Sequence, residues 1–277
     1  MNYLQFKFDD VNAVENEILI ALLTNAGFES FEEEDKILKA FIKENEFNEI
    51  SFAEILKIIP AKYSSTVIES QNWNAKWESS FEPIVVNDLV HGTPWVSVRA
   101  SFHQPIKNIQ HEIIITPKMS FGTGHHATTF MMIEQMGSLN FTDKKVVDFG
   151  TGTAVLAILA EKMGAVAVDA IDNDEWSIEN AIENAAANNC SKIKLVKAET
   201  ISSGKVFDII LANINLNVIL ANLSTISAAG KEGTLILLSG FLKADETVLI
   251  KALSDRSITH LNTVEKGEWI CVIAEMN

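Results

Sequence analysis

The sequence predicts an α/β protein, a doubly wound and mostly parallel sheet preceded by a small α+β domain. Three observations carry this. From residue 116 onward, apolar strand-like runs alternate with amphipathic helical stretches, the pattern of parallel strands joined by crossover helices. The run DFGTGTAVLAI at 148–158 sets two glycines in a tight strand-to-helix turn, where sheets of this kind hold their ligands. Residues 1–69 follow the order β-α-β-β-α-β, the split-βαβ or ferredoxin-like arrangement.

The small domain comes first. YLQFKFD (3–9) alternates apolar and polar residues, as a half-buried strand does. VENEILIALLTNAG (14–27) places Val14, Ile18, Leu22 and Leu23 on one helical face and stops at Gly27. FESFEEED and ILKAFIKE read as a hairpin. SFAEILKII is a short helix with Ser51 as its cap and Pro60 as its stop, and SSTVIES is a last strand. Residues 70–115 form a connector with leading strands. Its stretch NWNAKWESSFEPI sets Trp73 and Trp77 four apart, on one helical face, and WVSVRASF and HEIIIT read as strands.

Residues 116–277 hold the main sheet. KKVVDF, VAVDAID, KIKLVKAE, VFDIILANI and GTLILLS are its strands, and ITHLNTVE and EWICVIAE close it. Helices fall between them, including AVLAILAEKMGA, EWSIENAIENAAANN and a segment at roughly 216–228.

Composition narrows the function classes. The formal net charge is −15, which argues against broad binding of nucleic acid or anionic membranes and favours a neutral or basic partner. Cys190 and Cys271 are isolated, without metal-ligand spacing, as expected of reduced thiols in the cytoplasm. The N-terminus lacks a basic stretch followed by an apolar one, and runs such as AVLAILA are too short to span a bilayer.

The glycine turn asks which nucleotide is held. Asp172 ends the second core strand, 22 residues after Gly150. A carboxylate there can accept hydrogen bonds from both hydroxyls of a ribose, in NAD or in S-adenosylmethionine. The dinucleotide fingerprint, however, wants a third glycine where Val155 stands, and no phosphate-cradling loop with its lysine is present. S-adenosylmethionine has no phosphate to hold, so Gly150 and Gly152 need only bring the backbone close. The loop MSFGTGHHATTF (119–130) adds Gly122 and Gly124, with Thr128 and Thr129 at a helix start. Adjacent His125 and His126 point apart and lack an acidic or cysteine companion, so they are read as loop structure, or as substrate contact or proton handling, not as a metal site. Asn213 follows an apolar strand, which sets its amide at the carboxyl edge of the sheet to accept from an amine or a cofactor.

The segments FGTGHHATT, VVDFGTGTAVLAILAEKMGA, AIDND, LANI and LSGF, in this order and spacing, resemble the PrmA family. These are bacterial methyltransferases that modify protein eleven of the large ribosomal subunit. The resemblance runs from about residue 112 to the end, and the tryptophan-bearing connector shares it. It implies a class I, Rossmann-like S-adenosylmethionine-dependent methyltransferase domain. Thr129, Gly150, Asp172 and Asn213 fall on the family's cofactor-binding positions. It further implies that residues 1–69 dock a basic ribosomal protein and that lysine side chains and an N-terminal amine are methylated. Charge and cysteine usage add the expectation of a cytoplasmic protein that binds neither nucleic acid directly nor a membrane, and a monomer is expected. The chain departs at His125 and Ala127, where the family has Thr and Pro, and at GTGTA, which lacks a further glycine. A methyltransferase of a small molecule or RNA, or a binding protein on the same fold, are the other readings. Acidic charge disfavours RNA, and a small substrate gives the first domain no evident task.

Overall fold

A computed structural model describes residues 2–9, 11–34, 36–68, 81–89, 91–116, 118 and 121–277. Trp73 and Trp77 lie outside them. The chain divides into two compact units, Met1–Ser79 and Ser80–Asn277.

The first unit is a four-stranded antiparallel sheet in the order β2-β3-β1-β4, from β1 (Tyr3–Asp9), β2 (Ser30–Glu34), β3 (Ile37–Lys43) and β4 (Lys62–Ile68). Helices α1 (Ala13–Asn25) and α2 (Glu49–Ile58) complete the expected order. Phe6, Phe8, Leu38, Ala40 and Ile42 alternate inward and meet Leu19 and Leu23 of α1 and Phe52 of α2. Two details correct the sequence reading. The buried face of α1 centres on Leu19 and Leu23, one turn apart, and Ile18 is 46% exposed. The neighbouring residue is rotated by about 100° around the helix, enough to turn Ile18 outward. Helix α2 is capped by Asn48, whose side chain accepts from the amides of Ile50 and Ser51, so Ser51 lies inside the first turn.

The second unit holds a seven-stranded sheet in the order β10-β9-β8-β11-β12-β14-β13. Its strands are β8 (Lys145–Phe149), β9 (Ala167–Asp172), β10 (Ile193–Lys197), β11 (Ile209–Asn213), β12 (Leu235–Leu242), β13 (Ile258–Lys266) and β14 (Trp269–Met276). The first five are parallel, and the last two add an antiparallel edge. Helices α3 (Ala127–Met136), α4 (Val155–Lys162), α5 (Glu175–Ala187), α6 (Leu216–Ala228) and α7 (Glu246–Ser254) surround it.

Alternation along the strands builds two cores, one on each face. On β11, Ile209 and Leu211 enter one core with Met132 of α3 and Ile158 of α4, while Ile210 and Ala212 enter the other with Ile219 of α6 and Leu249 of α7. The chain runs outward from β8 through β9 to β10, then returns to β11 on the other side of β8. The crevice at the carboxyl ends of β8 and β11 is therefore the topological switch point.

Residues 84–115, read from sequence as part of a connector, build a three-stranded sheet of β5 (Ile84–Asn87), β6 (Pro94–Ala100) and β7 (His111–Ile115) that packs into the larger unit. The reason is apolar burial. Val96, Val98, Ile113 and Ile115 are wholly buried in the core shared with α3 and α4. An ion pair reinforces the sheet: Arg99, 5% exposed, donates from Nε and Nη2 to the two carboxylate oxygens of Glu112, each at 2.8 Å. No helix among the described residues is long and apolar enough to cross a membrane.

Candidate active site

Strand β8 ends in the glycine turn. Gly150, Gly152 and Ala154 all have left-handed backbone, with φ of +79°, +52° and +63°. A β-carbon on Gly150 would lie 2.1 Å from the Ile214 side chain, and one on Gly152 would lie 2.3 Å from the Phe121 carbonyl oxygen. Both positions therefore exclude any side chain, for sterics as well as conformation. Ala154 bears a β-carbon in the same conformation, at the position where the sequence departs from the PrmA pattern.

The upstream loop closes over this turn. Thr153 donates its amide to the Phe121 carbonyl at 3.0 Å and its hydroxyl to the Gly122 carbonyl at 2.7 Å. His126 caps α3, and its Nδ1 accepts the amide of Thr128. Its ring lies 5.3 Å from that of Phe121 and 4.6 Å from that of Trp269. His125 turns the other way, its ring against Phe81 and its Nε2 3.0 Å from the Glu82 carbonyl, so it serves loop structure. No cluster among the described residues could hold a metal ion.

Two acids occupy the turn. Asp172, at the end of β9, accepts the amides of Gly152 at 2.9 Å and Asp174 at 3.0 Å, one on each oxygen. This fixes the carboxylate while leaving lone pairs on both oxygens for further donors. Asp148 is buried, and burial pushes its carboxyl up to about 7. The Thr151 hydroxyl donates to it at 2.6 Å and opposes that rise, while the nearby Asp172 charge adds to it.

Asn213 and Thr129 meet at the end of β11. The Asn213 Nδ2 donates to the wholly buried Thr129 hydroxyl at 3.0 Å. Its Oδ1 is buried and has no hydrogen-bond partner. A buried acceptor left open is costly unless a ligand fills it.

These groups line one cavity of about 500 Å³. Gly150, Gly152, Asp172 and Asn213 all border it, and Thr129 stands behind Asn213. Reasoning from sequence did not single out Phe121, Ala198, Glu199 or Trp269, which also line it. Phe121 sits in the quoted loop and was within reach. Trp269 lies on the last strand and had no local signal. Among the described residues the lining includes Asp172 and Glu199 and neither Lys nor Arg. It would repel a pyrophosphate and favour a cation. The two cysteines lie elsewhere, and burial raises their thiols to about 11 for Cys190 and about 12 for Cys271, leaving them protonated and unreactive.

Comparison with known proteins identifies the family. The family model of the ribosomal protein L11 methyltransferase, PrmA, matches residues 7–277. A ribosomal protein L11 methyltransferase of Bacteroides fragilis is 34% identical over 284 residues, covering 98% of this chain and 99% of that protein. One from Chlorobaculum tepidum is 36% identical over 289 residues, covering 99% and 96%. The crystal structure of a ribosomal protein L11 methylase from Lactobacillus delbrueckii subsp. bulgaricus is 28% identical with a TM-score of 0.60, over 70% of this chain and 99% of that one. With the glycine turn, the switch-point crevice and near full-length similarity all in agreement, the chain belongs to the PrmA family of ribosomal protein L11 methyltransferases.

Proposed function

We propose that this chain transfers methyl groups from S-adenosylmethionine to amines of ribosomal protein L11, at lysine side chains and at the N-terminal amine, by successive transfers. The observation that carries the reading is the open, buried Oδ1 of Asn213 beside a glycine turn that tolerates no side chain.

The residues fit the cofactor. S-adenosylmethionine, when bound, supplies an electrophilic methyl group on a positively charged sulfur. Asp172, already oriented by two backbone amides, would take the ribose hydroxyls. Gly150 and Gly152 would let the backbone approach, and the acidic lining suits a cationic cofactor better than NAD.

The rest falls to the acceptor amine. A free lysine has a pKa of about 10.4 and is charged at neutral pH, hence not nucleophilic. Phe121 and Trp269 offer it apolar walls, and desolvation favours the neutral form. The Asn213 Oδ1 would then accept an amine N–H and aim the lone pair, with Thr129 holding the amide in place. Positioning accounts for the chemistry without a dedicated general base. We further assign residues 1–69 to docking the substrate, on the strength of their net charge of −8 and the basic character common to ribosomal proteins.

Incubation with labelled S-adenosylmethionine and, in parallel, purified L11, metabolite mixtures or RNA tests this. L11 should take the label. Asn213→Ala should lower turnover by about tenfold or more while staying folded, and removal of residues 1–69 should lower L11 methylation and spare cofactor binding. Label entering RNA or a metabolite but not L11 would refute the proposal.

A further inference from the structure

We infer that Asn184 is a positioning residue for the cofactor: from inside the protein it holds the Thr153 carbonyl and thereby fixes the glycine turn that walls the pocket. The inference rests on the cofactor site proposed above and concerns a side chain that does not line it.

Asn180 and Asn184 lie one turn apart on α5, and Asn188 is its C-terminal cap; all three are buried. They face β7, an edge strand of the three-stranded sheet. The Asn188 side chain accepts the Ile114 amide at 2.9 Å and donates to the Ile114 carbonyl at 2.6 Å. Two residues further on, just past the end of the strand, Asn184 Oδ1 accepts the Thr116 amide at 2.7 Å, and Asn180 Nδ2 donates to the Thr116 carbonyl at 3.3 Å. Four residues of helix rise about 6 Å and two residues of strand about 6.6 Å, so the amides keep step with alternate strand residues. They give the edge the partners a further strand would have given.

Asn184 does one thing that Asn188 does not. Its Nδ2 also donates to the Thr153 carbonyl at 2.9 Å, and to Asn180 Oδ1 at 3.1 Å. Thr153 sits between left-handed Gly152 and Ala154, and it binds the loop at Phe121 and Gly122. One buried amide thus grips the residue on which both the turn and the loop depend. Within the turn one main-chain bond closes, from the Ala154 amide to the Thr151 carbonyl at 2.8 Å, and the other bonds that shape it reach outside it, to Ile171, Asp172, Phe121 and Asn184.

The two asparagines separate the roles. Asn188→Ala loses the hold on β7 and a bond to the Asn184 main-chain carbonyl at 2.8 Å, and leaves the Asn184 side chain on Thr153 in place. Asn184→Asp keeps the acceptor for Thr116 and loses the donor to Thr153 and to Asn180 Oδ1. Calorimetry of the full chain with S-adenosylmethionine should show Asn184→Asp weakened by about tenfold or more. Asn188→Ala should melt earlier and bind within about twofold of wild type. In steady state, Asn184→Asp should raise KM for the cofactor with kcat within about threefold of wild type. Amide hydrogen exchange at 151–154 should quicken in Asn184→Asp and not in Asn188→Ala. Asn184→Ala serves should the buried carboxylate prevent folding. Wild-type affinity in a folded Asn184 variant, or equal losses at both positions, would overturn the inference. Absence of binding by the wild type would overturn the cofactor site and this inference with it.

Discussion

In the first unit polar groups meet at the surface; around the pocket of the second they meet in the interior. Lys43 pairs with Glu29 at 2.5 Å, Lys7 with Asp9 at 2.9 Å and Lys57 with Glu54 at 2.6 Å, all with side chains partly or largely in solvent. Such pairs contribute little to stability. What holds that unit is apolar: Phe52 lies 4.5 Å from Phe6, 5.1 Å from Tyr63 and 5.5 Å from Phe47, ring centre to ring centre. In the second unit Asp148, Thr153, Asn184 and Asn213 are all buried. Burying polar groups costs free energy unless they are paired, so the unit that carries them has a use for them. One unit spends its charge on how it looks from outside, the other its polarity on a defined interior shape.

That contrast can be broken or sharpened by four measurements, from the largest effect to the smallest. Phe52→Ala empties the centre of the aromatic cluster and should destabilise the first unit by about 3–5 kcal/mol in denaturant titration. Cofactor affinity should hold; a parallel loss would show that the two units are not energetically separate.

Asp148→Asn removes the buried acid from the second unit. Its folded carboxyl titrates near 7, above that of an unfolded aspartate. Between about pH 4 and pH 7 the folded state therefore keeps a proton that the unfolded chain has released, and wild-type stability falls as pH rises through that window. The variant should lack this fall, gaining a few kcal/mol over wild type by pH 8, as read from melting curves across pH. Parallel curves would mean that Asp148 is charged and satisfied.

Asp172→Ala should weaken cofactor binding by about 1.5–3 kcal/mol, roughly 10- to 150-fold. Calorimetry is again the measurement, and unchanged affinity would remove Asp172 from the ribose site. Tight NAD binding by wild type would overturn the choice of cofactor. Ala154→Gly is the smallest change. Relief of a left-handed alanine, offset by the greater chain entropy of glycine, should raise stability by about 0.5–1 kcal/mol. A loss in thermal unfolding would mean that the buried methyl group of Ala154 outweighs the strain.

Much of this was legible beforehand because it is local. Alternation in YLQFKFD sets which residues of β1 face the core, and the observed strand spans those seven residues. The spacing of Gly150 and Asp172 reflects one strand-helix-strand unit, and Gly152 does bond the Asp172 carboxylate. The face of α1 was misjudged because Ile18, Leu19, Leu22 and Leu23 are all apolar, and periodicity cannot choose between overlapping stripes in so uniform a run. Residues 84–115 carried strand signals, yet nothing local said which core would take them.

By itself, then, the sequence determined the element order of the first unit and of the main sheet, the glycine turn, the acid that follows it and the apolar strand that ends in Asn213, because each is written in neighbours along the chain; the strand Ile84–Asn87 it did not mark. The tertiary structure decided the partners. Thr129 and Asn213 are 84 residues apart, and Asn184 reaches Thr153 across 31. Trp269 faces His126 from the far end of the chain. Those meetings follow from the order in which strands insert beside β8, and strand order is settled by packing over the whole sheet, which no short stretch of sequence records.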